Sequence, residues 1–168
     1  MEGTLLSAET TTTQLVVFSL SGEEYALPIS HVHEIIRYSE PRSVASNDPS
    51  VRGVISLRGK ILPVLDLASR LGLSRGDQDG DIESNIVIVE TDQEMAGIIC
   101  DEVEEVITID AAGLEEAPGA DHESIDGIAR IDDRLVILLN PHGIVPGAAL
   151  RREVAAAADA PQDVAIAA

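Results

Sequence analysis

Gly53-Val54-Ile55-Ser56-Leu57-Arg58-Gly59-Lys60-Ile61-Leu62-Pro63-Val64-Leu65-Asp66 is the stretch on which the fold turns. Two aliphatic runs, 51–57 and 60–65, flank Arg58-Gly59. A two-residue connection with glycine between such runs signals a β-hairpin, because glycine supplies the positive φ of a tight turn. The pattern returns further along the chain. Gly53-Val54 matches Gly127-Ile128, Lys60-Ile61-Leu62 meets Arg134-Leu135-Val136, and Leu65-Asp66 meets Leu139-Asn140. The later hairpin reads 125–131, Asp132-Asp133, 134–139.

Upstream of both hairpins the repeat continues. Leu15-Val16-Val17-Phe18 aligns with Asn85-Ile86-Val87-Ile88 at an offset of 70, as do Glu24-Tyr25-Ala26 with Glu94-Met95-Ala96 and Ile29 with Ile99. After one inserted residue, Val32-His33-Glu34-Ile35-Ile36 aligns with Val103-Glu104-Glu105-Val106-Ile107. Ser21-Gly22 between runs 15–20 and 24–29 marks another hairpin. In the second of those runs Tyr25, Leu27 and Ile29 alternate with Glu24, Ala26 and Pro28, the period of a half-buried strand. Asp66 is placed to cap a short helix over 67–71 that ends at Gly72. Short strands in a small module must close on themselves to hide their edges, so small barrels are expected. The boundaries that follow are a disordered start at 1–13, a first module at 14–73, an acidic Gly/Asp loop at 74–84, a second module at 85–146 and an alanine-rich tail at 147–168.

Composition narrows the function. Asp and Glu number 30 against 11 Lys and Arg, a net charge of −19, and Lys60 is the sole lysine. Such a surface repels phosphate backbones and anionic bilayers, which argues against nucleic-acid and membrane partners. No apolar run approaches the roughly 20 residues of a spanning helix, and the N-terminus lacks the basic start and apolar stretch of a secretory signal. Cytoplasmic residence is expected. The charge also reads as adaptation to molar salt, where the Debye length falls to about 3 Å and carboxylate repulsion is screened. The aromatics are only Phe18, Tyr25 and Tyr38, so the core rests on Val, Ile and Leu, residues suited to strands. Cys100, the single cysteine, excludes an intrachain disulfide and reads as a buried thiol beside Asp101-Glu102.

Chemistry-bearing patterns fail one by one. Between Gly53 and Gly59 lie five residues where a phosphate loop needs four, and Ile61 stands where that loop needs Ser or Thr. His31 and His33 alternate on a strand, but His122 and His142 stand at no matching spacing, so no tetrahedral metal set forms. Asp77, Asp79 and Asp81 suggest a calcium loop, yet its twelfth position is Ile88 rather than an acid. No nucleophile elbow is present. The chain is therefore read as a non-enzyme with no cofactor and no metal. Arg58-Gly59 remains, open to two readings: a hairpin turn with a solvated arginine, or a binding element.

The string Phe18-Ser19-Leu20-Ser21-Gly22-Glu23-Glu24-Tyr25-Ala26-Leu27-Pro28-Ile29, followed by Val32-x-Glu34-Ile35-Ile36, resembles the opening of the CheW chemotaxis coupling proteins. Gly53 to Leu67 resembles the central signature of that family, and Gly97-Ile98-Ile99-Cys100-Asp101-Glu102-Val103 with Gly127-Ile128-Ala129 is similar in the same order. The resemblance spans about residues 14–146. It departs where Ser56 replaces a frequent Asn, where Arg42 to Pro49 is less proline-rich, and where Asn140 replaces a common Asp.

The resemblance implies an all-β protein of two tandem five-stranded SH3-like β-barrels with short helices. It implies an adaptor that bridges the cytoplasmic tips of methyl-accepting chemoreceptors to the regulatory domain of a CheA-type histidine kinase. Such a protein is recruited to membrane-associated arrays and controls the kinase by binding alone. The groove between the barrels would accept the receptor's helical hairpin, and the positions matching that region are Val32, Glu34, Gly53, Arg58, Gly59 and Val103. The second barrel would mainly contact the kinase. Two alternatives stand beside this: a CheW-like module of another signalling protein, disfavoured because no kinase or receiver signature precedes Ala168, and a small ligand-binding or enzymatic β domain with an unrecognised pocket.

Overall fold

The hairpins form where the turn residues place them. β1 (Thr12–Leu20) and β2 (Glu23–Pro28) meet at Ser21-Gly22 with φ of 55° and 83°, and β4 (Val51–Leu57) and β5 (Lys60–Asp66) meet at Arg58-Gly59 with φ of 51° and 84°. Positive φ at both central residues matches the twist of the flanking strands. β10 (Ile125–Ile131) and β11 (Arg134–Leu139) join through Asp132-Asp133, with Asp132 at φ 55°. The remaining strands are β3 (Val32–Arg37), β6 (Asn85–Glu90), β7 (Met95–Cys100), β8 (Glu102–Asp110) and the two-residue β9 (Leu114–Glu115). Asp66 caps α1 (Leu67–Arg70), its carboxylate accepting from the amides of Ala68 and Ser69. Asn140 caps α2 (Pro141–Ile144) through the His142 amide.

This computed structural model describes residues 12–73, 84–92, 94–119 and 123–145. The expectations for residues 1–11, for the loop with Asp77, Asp79 and Asp81, for His122 and for the tail at 147–168 lie outside the described residues. Among those described, no helix is long and apolar enough to cross a membrane.

The architecture is all-β with two SH3-like modules, but each module draws strands from both halves of the chain. One sheet runs β8-β1-β2-β11-β10-β9 and the other β3-β6-β7-β5-β4. The halves 14–73 and 85–146 therefore do not each close a sheet of their own. The β1–β2 hairpin sits between β8 and β11 of the second half, and the β6–β7 hairpin sits between β3 and β5 of the first. This reciprocal exchange corrects the boundaries drawn from the repeat. Both copies carry the same hydrophobic period, so alternation cannot tell a hairpin which copy to join.

The ladders also sharpen the repeat. Val32↔Val89 and Glu34↔Ile88 in one sheet correspond to Phe18↔Val103 and Val17↔Glu105 in the other, each pair straddling a bulge. Ile86↔Ile99 corresponds to Leu15↔Pro28. A single offset of 71 relates all of these, so the inserted residue disappears. Gly53↔Val64 and Gly127↔Leu138 retain the offset of 74 seen in the sequence, again at matching bulges.

Three apolar clusters follow from this arrangement. Leu15, Val17, Ala26, Ala129, Val136 and Leu138 fill one barrel; Leu62, Val64, Ile86, Ile88 and Ile99 fill the other. A larger cluster lies on the seam, combining Phe18, Leu20, Tyr25 and Leu27 with Val87, Val89, Ala96, Ile98 and Cys100. Cys100 is fully buried there, the inert setting expected of it. Each fully buried Leu, Ile or Phe contributes about 1.5–3 kcal/mol of transfer free energy. Seam residues come from both hairpins and both helices, which couples the two barrels.

Candidate functional site

β3 alternates between half-buried and exposed positions: Val32, Glu34 and Ile36 turn inward while His33, Ile35 and Arg37 face out. Glu34 therefore leaves the barrel wall at the height of the β4–β5 turn. There Arg58 donates from Nη1 to Glu34 Oε1. The arginine side chain is 69% exposed and the glutamate 22%. The carboxylate beside it pushes the guanidinium further toward its charged form. The structure thus joins two sequence-selected residues, Glu34 and Arg58, with Gly59 completing the same turn. It also modifies the picture of Arg58 as a solvated side chain left free by the fold: the side chain is paired, and its backbone occupies the left-handed region that L-residues adopt at a cost.

Gly53 has a different role. It lies on the bulge of β4, buried, at φ 151°. A Cβ there would stand 2.2 Å from the Arg42 carbonyl oxygen. Arg42 and Val54 exchange backbone hydrogen bonds of 2.9 and 2.8 Å across this point, the bridge that ties the segment after β3 to β4. In the other barrel β9 makes the corresponding closure on β10, against Gly127. Gly53 shapes the wall behind the turn and offers no side chain to a partner.

Val32 and Val103 occupy equivalent registers in the two sheets, and both pack, partly buried, against the seam cluster. They mark the junction of the barrels, and Val32 is the residue next to Glu34 on the same face of β3. Also at the junction, Arg70 of α1 donates to Asp48 at 2.9 Å and to the Gly143 carbonyl of α2 at 3.4 Å. Burial alone would raise the Asp48 pKa, but hydrogen bonds from the Ser50 hydroxyl and amide, with Arg70, outweigh it and hold the carboxyl below its ordinary value.

The second barrel builds its clasp from other residues. Arg58 has Asp132 as its counterpart, and the cation comes two residues later. Arg134 donates from Nε and Nη2 to Glu24 at 2.9 and 3.0 Å, and from Nη2 to Glu105, the counterpart of Glu34, at 2.9 Å. Arg134 holds Glu24 below its usual pKa, while Glu104, hydrogen-bonded to Glu24, is pushed up.

His31 meets His142 rather than His33. His31 Nδ1 lies 2.9 Å from the Glu90 carbonyl oxygen with its ring edge-on to His142 at 5.4 Å, while His33 stands 3.3 Å from the Glu90 carboxylate. Among the described residues no three His, Cys, Asp or Glu side chains gather as a metal set.

Sequence reasoning passed over the exposed aliphatics. Ile35 and Val106 are 40% and 51% exposed, and Ile61 and Leu135 49% and 53%. The members of each pair are counterparts under the repeat. Both barrels thus present apolar side chains at matching positions on a strongly acidic protein. The signal was available in β3, where Ile35 falls on the outward phase of the alternation; the continuous apolar run of β5 carries no such alternation to mark Ile61.

The family described as "CheW-like domain" matches residues 14–149. The "Chemotaxis protein CheW" of Bacillus subtilis (strain 168) is 32% identical over 136 residues, covering 79% of this chain and 86% of the relative. That of Helicobacter pylori is 30% identical over 135 residues, covering 79% and 81%. The crystal structure of scaffolding protein TtCheW from Thermoanaerobacter tengcongensis superimposes with a TM-score of 0.72 at 37% identity, covering 81% of this chain and 89% of that one.

Proposed function

The chain belongs to the CheW-like family, and from that premise we propose that it is a chemotaxis adaptor coupling methyl-accepting chemoreceptors to a CheA-type histidine kinase. It acts by binding, without catalysis, in the cytoplasm at receptor arrays. Glu34, Arg58 and Gly59 form the polar edge of the receptor contact, and Val32 and Val103 supply its apolar side at the barrel junction. The observation that supports this placement is Arg58 itself. The turn favours Gly, Asn or Asp at its first position, the other barrel has Asp132 there, and an arginine in the left-handed region serves the fold poorly. Arginine suits a contact that must be directional, because its planar fork sets register on a carboxylate or carbonyl pair.

The kinase regulatory domain docks mainly on the six-stranded barrel, whose exposed apolar residues are Val106 and Leu135. Apolar anchors inside a polar rim are the usual energetic centre of a protein interface. Control is conformational, since a scaffold shifts a kinase only by binding its states unequally. Reconstitution tests the reading: purified chain, kinase and receptor signalling fragments are mixed, and autophosphorylation and co-elution are followed. Receptor control of the kinase should require the chain and should be lost with Arg58→Ala. Co-elution with the kinase should be lost with Leu135→Asp and kept with Ile61→Asp. Failure of the native chain to couple the two would end the adaptor reading, and the reverse pattern for the aspartates would move the kinase to the other barrel.

A further inference from the structure

The two barrels differ at one equivalent place. In the six-stranded sheet β11 pairs with β2 at Ile137↔Tyr25 and Leu138↔Ala26, with no ladder pair nearer the starts of the two strands. The gap is bridged by Arg134 on β11, held by both carboxylate oxygens of Glu24 on β2. In the five-stranded sheet β5 pairs with β7 from Val64↔Gly97 onward and the strands part in the same way. The counterparts of Arg134 and Glu24 are Lys60 and Met95, which cannot form such a clasp. A cleft of about 390 Å³ lies open there, walled by Ile61 and Met95 and rimmed by Lys60, Glu90, Asp92 and Glu94.

We propose that this cleft is a docking site for an arginine side chain carried by an extended segment of a partner protein. The other half of the molecule shows how an arginine sits in such a gap, with its fork on a carboxylate of the neighbouring hairpin. The rim supplies three carboxylates against one ammonium. The Glu90 carboxylate lies 3.3 Å from the His33 ring, whereas among the described residues those of Asp92 and Glu94 enter no ion pair and Lys60 has no carboxylate partner. Met95 and Ile61, the latter 49% exposed, offer apolar surface to an aliphatic stem with a charged head. Lysine would satisfy the charge but not the bidentate geometry that Glu24 receives from Arg134. The site adjoins the Glu34–Arg58 tip, since His33 lies 3.9 Å from Glu34 and 3.3 Å from Glu90, but it does not depend on the adaptor reading.

The test is an NMR titration of the full chain with the capped peptide Ac-Val-Arg-Val-NH2 and its citrulline and glutamate analogues, read at the Ile61 methyl groups. The arginine peptide should shift these signals and the citrulline peptide should not. Glu94→Gln should weaken binding about threefold or more, and Lys60→Ala, which removes a like charge, should strengthen it about twofold. Neither Lys60 nor Glu94 belongs to a core cluster, so those two variants keep the fold. Binding of the glutamate peptide that disappears in Lys60→Ala would overturn the proposal in favour of an acidic guest. The absence of any shift with the arginine peptide would overturn it outright.

Discussion

Replacing Gly53 with alanine tests whether that residue belongs to a contact surface or to the wall behind it. The added Cβ would lie 2.2 Å from the Arg42 carbonyl oxygen and 2.7 Å from its carbon, with φ at 151°. Both atoms are backbone, so no side-chain rotation relieves the clash. Either β4 or the strap carrying Arg42 must move, which breaks the two hydrogen bonds exchanged by Arg42 and Val54. Each such bond contributes about 0.5–1.5 kcal/mol net, and the unfavourable backbone conformation adds about 1–3 kcal/mol. The sum, about 2–6 kcal/mol, is a large part of the 5–15 kcal/mol that holds a typical domain together. Two controls grade the effect. At Gly127 the closest approach is 2.8 Å, to the Glu115 carbonyl oxygen, and at Gly59, φ 84°, nothing lies within 4 Å. Urea denaturation at molar salt should therefore rank the alanine variants Gly53 worst, then Gly127, with Gly59 losing only about 1 kcal/mol. Amide exchange at Val54 should accelerate selectively in Gly53→Ala if it stays folded. A Gly53→Ala protein as stable as the parent, or less affected than Gly59→Ala, would refute the packing role and return Gly53 to the contact surface.

Arg58→Asn should leave the melting temperature unchanged or slightly raised, because asparagine suits the turn, while weakening receptor-dependent complex formation roughly thirtyfold; calorimetry beside a pull-down titration separates the two, and a strongly destabilised variant would contradict the turn argument. Asp48 has a lowered folded pKa, so its contribution to stability is present above its unfolded value and is lost as pH falls through the folded one. Asp48→Asn should accordingly flatten the acid side of a urea-midpoint profile below about pH 4, and an unaltered profile would exclude the Asp48–Arg70 link as a stabiliser. With a net charge of −19, the melting temperature should climb from dilute buffer to molar potassium chloride; a flat response would remove the case for salt adaptation. Because hairpins are exchanged between the modules, fluorescence of probes placed in either barrel should report one coincident unfolding transition, whereas two separated transitions would mean the barrels fold independently.

Much of this protein was legible one residue at a time. Turn chemistry at Ser21-Gly22 and Arg58-Gly59, alternation in β3 and the Asp66 cap are local: each is decided by φ preference, side-chain period or a short-range hydrogen bond within a few residues. The repeat and the family resemblance are likewise properties of order along the chain, and they singled out Glu34, Arg58 and Gly59 as candidates before any distance was known. What the chain order left open is pairing between segments far apart. Two hairpins with the same period fit equally well beside their own copy or the other, and only the seam packing of Phe18, Leu27, Val87 and Ile98 commits them to exchange. The same holds for the roles within the candidate site. Gly53 and Gly59 look alike in sequence, yet one faces a carbonyl at 2.2 Å and the other open space. Lys60 and Arg134 align as equivalent cations, yet only Arg134 finds a carboxylate across its gap, because Glu24 stands where the other sheet has Met95. Local chemistry set the elements, and long-range contacts, which no spacing along the chain encodes, decided which of them became wall, clasp or open surface.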